Sequence, residues 1–86
     1  IAPKDIIIDS DGNLSVLANS ITSSDLEGSL IIKVSLGGTL LMQSDVFYGS
    51  SEQGATSYEL VEYENGVYYT ICNDLGYKHP IRLHLY

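Results

Sequence analysis

Apolar residues recur along this chain in short runs with a period of two. Turn-forming residues separate the runs at roughly the 8–12-residue spacing of β-sandwiches. Asp5-Ile6-Ile7-Ile8-Asp9 is short and β-branched, which suits a strand. Ser10-Asp11-Gly12-Asn13 turns the chain, with Gly12 able to take positive φ. Leu14, Val16 and Ala18 then share one face of a second strand, and the polar stretch 19–27 predicts an irregular crossing between sheets. In the third strand Leu30, Ile32, Val34 and Leu36 alternate with Ile31, Lys33 and Ser35, so one face is wholly aliphatic and the other mixed. Gly37-Gly38 reads as a two-residue hairpin loop and Thr39 to Asp45 as the returning strand, with Val46-Phe47-Tyr48 continuing past a bend.

The Ser- and Gly-rich segment 49–56, with Ala55 as its apolar residue, reads as a mobile surface loop. Ser57 to Tyr63 forms the next strand, and Asn65-Gly66 is the strongest hairpin signal in the chain. Past it, Val67, Tyr69 and Ile71 share one face while Tyr68, Thr70 and Cys72 share the other. After a turn at 73–76 and the loop ending at His79-Pro80, Ile81, Leu83 and Leu85 point inward and Arg82, His84 and Tyr86 outward. Helical spacing occurs only over Ser24 to Leu30, where Gly28 weakens it. The pattern predicts one domain over residues 1–86, an all-β compact antiparallel sandwich of about seven short strands.

Composition narrows the function classes. Eleven acidic residues against four basic ones give a net charge of −7, which argues against docking on nucleic-acid phosphates or an anionic membrane surface. Apolar residues make up 44% of the chain, too many for a disordered protein. No apolar run exceeds about four residues, whereas a membrane-spanning helix needs roughly 20. Cys72 is the single cysteine, so an intramolecular disulfide is excluded. It reads as a small strand residue filling the packing rather than a nucleophile, with no histidine beside it in sequence to act as base.

Two stretches carry a family resemblance. Gly28-Ser29-Leu30-Ile31-Ile32-Lys33-Val34 leads into Gly37-Gly38-Thr39-Leu40-Leu41, and Glu64-Asn65-Gly66-Val67-Tyr68-Tyr69-Thr70-Ile71 is followed by Gly76 and the closing strand Ile81-Arg82-Leu83-His84-Leu85. The Gly-Val-Tyr opening of the penultimate strand resembles the immunoglobulin-like C-terminal sorting domains of type IX secretion. It is also similar to small exported bacterial β-sandwich proteins of unknown function. The resemblance spans about residues 28 to 86 and implies a seven-stranded immunoglobulin-like fold and export, with a signal peptide removed from a precursor before Ile1. It carries over no catalytic residue. Ile1-Ala2-Pro3-Lys4 stands where the sorting domains open with a Pro-Asn-Pro-like segment, and Arg82 is the sole cation in a closing strand that is basic in them.

Candidate chemistry is sparse. Asp9-x-Asp11-Gly12 looks like part of a calcium loop, but the flanking EF-hand positions are Ile7 and Ala18, leaving a hairpin turn or a nonstandard cation site. His79 and His84 lack a zinc spacing and a third ligand, so neither a metal nor a cofactor is predicted. Arg82 is expected to pair with Glu59, Glu62 or Glu64 on a neighbouring strand. Seven tyrosines against one Phe and no Trp are the informative bias, because tyrosine buries a ring and keeps a polar tip. Tyr48, Tyr58, Tyr63, Tyr68, Tyr77 and Tyr86 form the candidate binding set, to be weighed against rings that merely cover a half-exposed sheet. The reading is a non-enzymatic, exported bacterial module that contacts protein or glycan, with homodimerisation by edge-strand pairing a further option. The alternative is a small acidic intracellular inhibitor of the phage type that mimics nucleic acid.

Overall fold

The computed structural model describes residues 2–21, 27–48, 56–74 and 77–85, the side chains of Asp74 and Tyr77 excepted. Seven strands account for almost all of them: β1 (Ala2–Ile8), β2 (Leu14–Ile21), β3 (Glu27–Val34), β4 (Leu40–Gln43), β5 (Thr56–Glu64), β6 (Val67–Asp74) and β7 (Tyr77–His84). They form two antiparallel sheets, β1-β2-β3-β4 and β5-β6-β7, stacked as the sandwich the alternation predicts. Each sheet is a plain meander, whereas an immunoglobulin constant domain interleaves its two sheets along the chain. No helix occurs among the described residues, and so none long and apolar enough to cross a membrane.

Three local readings change. The loop expected to end at His79-Pro80 is strand, because β7 begins at Tyr77 and pairs with β6 from Asp74↔Tyr77 through Cys72↔His79 and Ile71↔Pro80. The stretch 19–27 is not a crossing between sheets, because β2 runs to Ile21, β3 begins at Glu27, and the two pair in register from Leu14↔Val34 to Ile21↔Glu27. The Gly37-Gly38 loop has three residues rather than two. Ser35 N donates to Thr39 O and Gly38 N to Ser35 O, with Gly38 at φ 91° and Leu36 at the exposed tip. The β1–β2 hairpin is built the same way: Asp9 N donates to Asn13 O, Gly12 N to Asp9 O, and Gly12 has φ 80°. In both, the side chain of the first residue accepts the amide of the fifth, Asp9 Oδ1 from Asn13 and Ser35 Oγ from Thr39.

The space between the sheets has an apolar middle of Leu17, Ile31, Leu60, Tyr68, Cys72, Ile81, Leu83 and Leu85, with Ile7 and Phe47 packed against it. Ile81 and Leu83 point inward and Arg82 and His84 outward, as the alternation predicts. The wholly aliphatic face of β3 is the outer one. Ser29, Ile31 and Lys33 look across at the second sheet, while Leu30, Ile32 and Val34 look away from it. On that outer face Gly28 lies beneath Val46 and Tyr48. A Cβ there would come within 2.8 Å of the Tyr48 ring, so glycine is what lets the segment after β4 lie across the strand.

Thr70 interrupts the inner face between Leu60 and Ile81, and its buried hydroxyl has no hydrogen-bond partner among the described residues. Thr70→Val keeps the shape and removes that unpaired group. Urea unfolding is expected to show a gain of about 1 kcal/mol, and a loss would mean the hydroxyl is bonded.

Candidate functional site

Polar groups join the sheets on either side of the apolar middle. At one end Ser29 Oγ donates to Asn19 Oδ1 (3.0 Å) and shares a 2.7 Å hydrogen bond with Ser57 Oγ, while Asn19 Nδ2 donates to Ser57 O. At the other, the Tyr68 hydroxyl lies 2.6 Å from Ser15 Oγ, which donates to Asp9 Oδ2 at 3.0 Å. Lys33 Nζ sits 3.6 Å from Asp9 Oδ2 and 2.5 Å from Asp11 Oδ2, so a lysine ammonium lies against the two carboxylates of the Asp-x-Asp-Gly turn. No group of three or more metal-ligating side chains occurs among the described residues.

Lys33 and Asp9 side chains are 6% and 1% exposed, and Ser15 and Tyr68 are sealed between the sheets. Burial alone pushes the Asp9 carboxyl up. The Asn13 amide, the Ser15 hydroxyl, the Asp11 amide and the Lys33 ammonium outweigh it, so the group sits below its ordinary value and stays ionised. Burial pushes the Tyr68 phenol above its ordinary value, with the Asp9 and Glu62 charges adding to the effect and Ser15 and Lys33 opposing it. Neutral tyrosine is therefore the form the fold favours, and that contribution to stability fades as pH climbs past the unfolded value near 10. With its hydroxyl, carboxylate and ammonium groups tied to one another and shut off from solvent, the cluster is a lock between sheets.

The structure divides the tyrosine set. Tyr68 is fully buried and presents nothing to a partner, because its hydroxyl finds Ser15 across the sandwich. Tyr48 lies half-buried over Gly28 on the four-stranded sheet. Tyr86, the Tyr77 side chain and residues 49–55 of the Ser/Gly loop lie outside the described residues.

Tyr58 and Tyr63 remain exposed, at 42% and 67%, on β5. Tyr69, absent from the candidate set, joins them: its ring meets Tyr63 edge-on, centroids 5.6 Å apart at 89°. Alternation on β6 sets Tyr69 on the face opposite Tyr68, and this is the signal that could have found it. Register fixes the neighbours. Val61 and Arg82 flank Tyr69 on adjacent strands, and Pro80 lies opposite Ile71. A hollow of about 80 Å³ is lined by Glu59, Val61, Tyr69, Thr70, Ile71 and Pro80. Lys78 Nζ stands 5.8 Å from the Tyr58 ring centroid, a cation–π distance.

Arg82 forms none of the ion pairs expected of it among the described residues, where Lys33 makes the ion pairs. Glu62 instead accepts from the Ser10 amide and hydroxyl, at 2.8 and 3.1 Å, and Asp5 Oδ2 accepts from Leu60 N. These contacts clip the β1 edge to the β5 edge and leave Arg82 at the rim of the tyrosine face. Comparison with known protein families, with curated proteins and with solved structures finds no match for the chain.

Proposed function

We propose that the protein is a non-enzymatic binding module, acting outside the cytoplasm, whose contact surface is the outer face of β5-β6-β7. The edge-on pair of exposed Tyr63 and half-buried Tyr69 beside the hollow carries this reading. Rigid aromatic rings lose little conformational freedom on binding and offer an apolar body with a polar tip. Their faces suit either the C–H surface of a sugar ring or an apolar side chain of a protein. Lys78 and Arg82, two of the four cations in a chain of net charge −7, stand on this same face. They supply carboxylate-binding donors beside the rings. The resemblance to exported sandwich domains supports placement outside the cell, and the cationic rim weighs against mimicry of nucleic acid at this face.

The test is a broad glycan array together with capture of surface proteins, run on the native chain and on Tyr63→Ala and Tyr69→Ala. A ligand bound here is expected to lose at least about tenfold in affinity in either variant. Binding that ignores both substitutions, or its absence from array and capture alike, overturns the proposal.

A further inference from the structure

We propose that the outer face of the four-stranded sheet is a self-association surface on which a second copy of this chain packs, sheet against sheet. Strands buried on both faces read as near-continuous apolar runs, whereas strands with one wet face alternate. Ile6-Ile7-Ile8, Val16-Leu17-Ala18, Leu30-Ile31-Ile32 and Leu40-Leu41-Met42 are such runs, one in each strand of this sheet. The outer face of β5-β6-β7 by contrast mixes its exposed Val61 and Ile71 with tyrosines and charges. Yet the four-stranded sheet has only one covered face. Ile6, Ile8 and Leu40 are 56%, 72% and 59% exposed on the other, and Val16, Ile32 and Val34 are only half-buried.

Among the described residues, cover is confined to the Gly28 end of the face, where Val46 and Tyr48 lie across β3. Strands of seven, eight, eight and four residues make a face of about 430 Å², so a pair of copies would bury roughly 850 Å². That is just under the roughly 1,000 Å² of a stable specific interface, and it sets the expectation of a weak, concentration-dependent dimer.

Charge selects the arrangement. Lys4 stands in the bulge of β1 beside Ala18 and Leu17 and lines an open hollow with the outer-face residues Ile6 and Val16. Exposed Asp45 lies along the opposite edge of the sheet, one residue past Ser44, whose amide donates to Ile31 O. A two-fold axis parallel to the strands lays β1 of each copy over β4 of the other at the same height. Lys4 of one copy then faces Asp45 of its partner, twice per dimer, around an interior that is flat and aliphatic. This is a face-to-face contact, distinct from edge-strand pairing and independent of the tyrosine surface.

Sedimentation velocity of the whole chain over about 5 to 300 µM tests it, with far-UV circular dichroism checking that each variant folds. The native chain is expected to show a reversible species of twice the 9.4 kDa mass. Ile8→Lys and Leu40→Lys, both at exposed positions, are expected to weaken it by more than about 30-fold. Lys4→Glu is expected to weaken it by about three- to tenfold, and Lys4→Glu with Asp45→Lys to restore it; this pair of variants decides the matter should the lysine variants not fold. A native chain monomeric at the highest concentration overturns the proposal. So does a dimer untouched by every variant, or a monomer that instead binds phosphatidylcholine vesicles through Ile8.

Discussion

Tyr68→Ala is expected to cost about 4 kcal/mol of stability, the largest loss available from a single side chain in the described core. Tyr68 is among the largest side chains with no exposed surface, and it packs in the cluster that joins the two sheets. Truncation leaves a ring-sized void that rigid strands cannot close. A small domain holds only about 5–15 kcal/mol in total, so the variant lies close to unfolding at room temperature. Tyr68→Phe separates ring from hydroxyl. It retains the packing, and Ser15 Oγ still has Asp9 to donate to, so the loss is expected to be about 1 kcal/mol. Urea titrations of both variants measure the difference. Equal losses would place the energy in the hydrogen bond rather than in the ring.

Lys33→Met is expected to cost about 3 kcal/mol, because it takes the counter-charge from a carboxylate that is itself 1% exposed. The two backbone amides and the Ser15 hydroxyl on Asp9 soften the loss without cancelling it. Lys33→Met with Asp9→Asn removes both charges together, and the double variant is expected to recover at least half of the deficit. Acid supplies a second readout of the same group. Because the folded state holds the Asp9 carboxyl below its ordinary value, its contribution is complete above the unfolded value and is lost as pH falls from about 4 through the folded one. The acid limb of the stability curve of Lys33→Met should therefore be shallower. An unchanged limb, or a double variant no better than Lys33→Met, would mean that the ammonium does not act on Asp9.

The pattern along the chain carried the strands because most of them obey local rules. Asn65-Gly66 and Gly12 turn where glycine's left-handed conformation is needed, and Ile81, Leu83 and Leu85 alternate inward on a strand whose other face is polar. The direction of β3 was not legible, because period two separates faces without saying which one meets the other sheet, and both faces of this strand are largely apolar. Lys33 is the residue that decides it, yet its burial depends on two aspartates in a hairpin 22 residues and more away. The Gly37-Gly38 loop gained a residue because the Ser35 side chain, rather than a second glycine, completes the turn. Among the tyrosines, composition treats Tyr68 and Tyr69 alike. Alternation puts them on opposite faces, and Ser15 across the sandwich gives the buried Tyr68 hydroxyl its partner while Tyr69 meets Tyr63 on the outer face.

The two meanders are contiguous in sequence: every residue of one sheet precedes every residue of the other, and the chain passes between them once, after Tyr48. Every ladder pairing is therefore between chain neighbours, and the loops closed while a sheet assembles are short, which favours fast folding for an all-β protein. The slow event left is the docking of two preformed halves, governed by the polar locks and the apolar middle rather than by strand pairing. Severed in the segment 49–55, this sandwich would yield two fragments that each own a whole sheet. A sandwich with interleaved strands has no such cut.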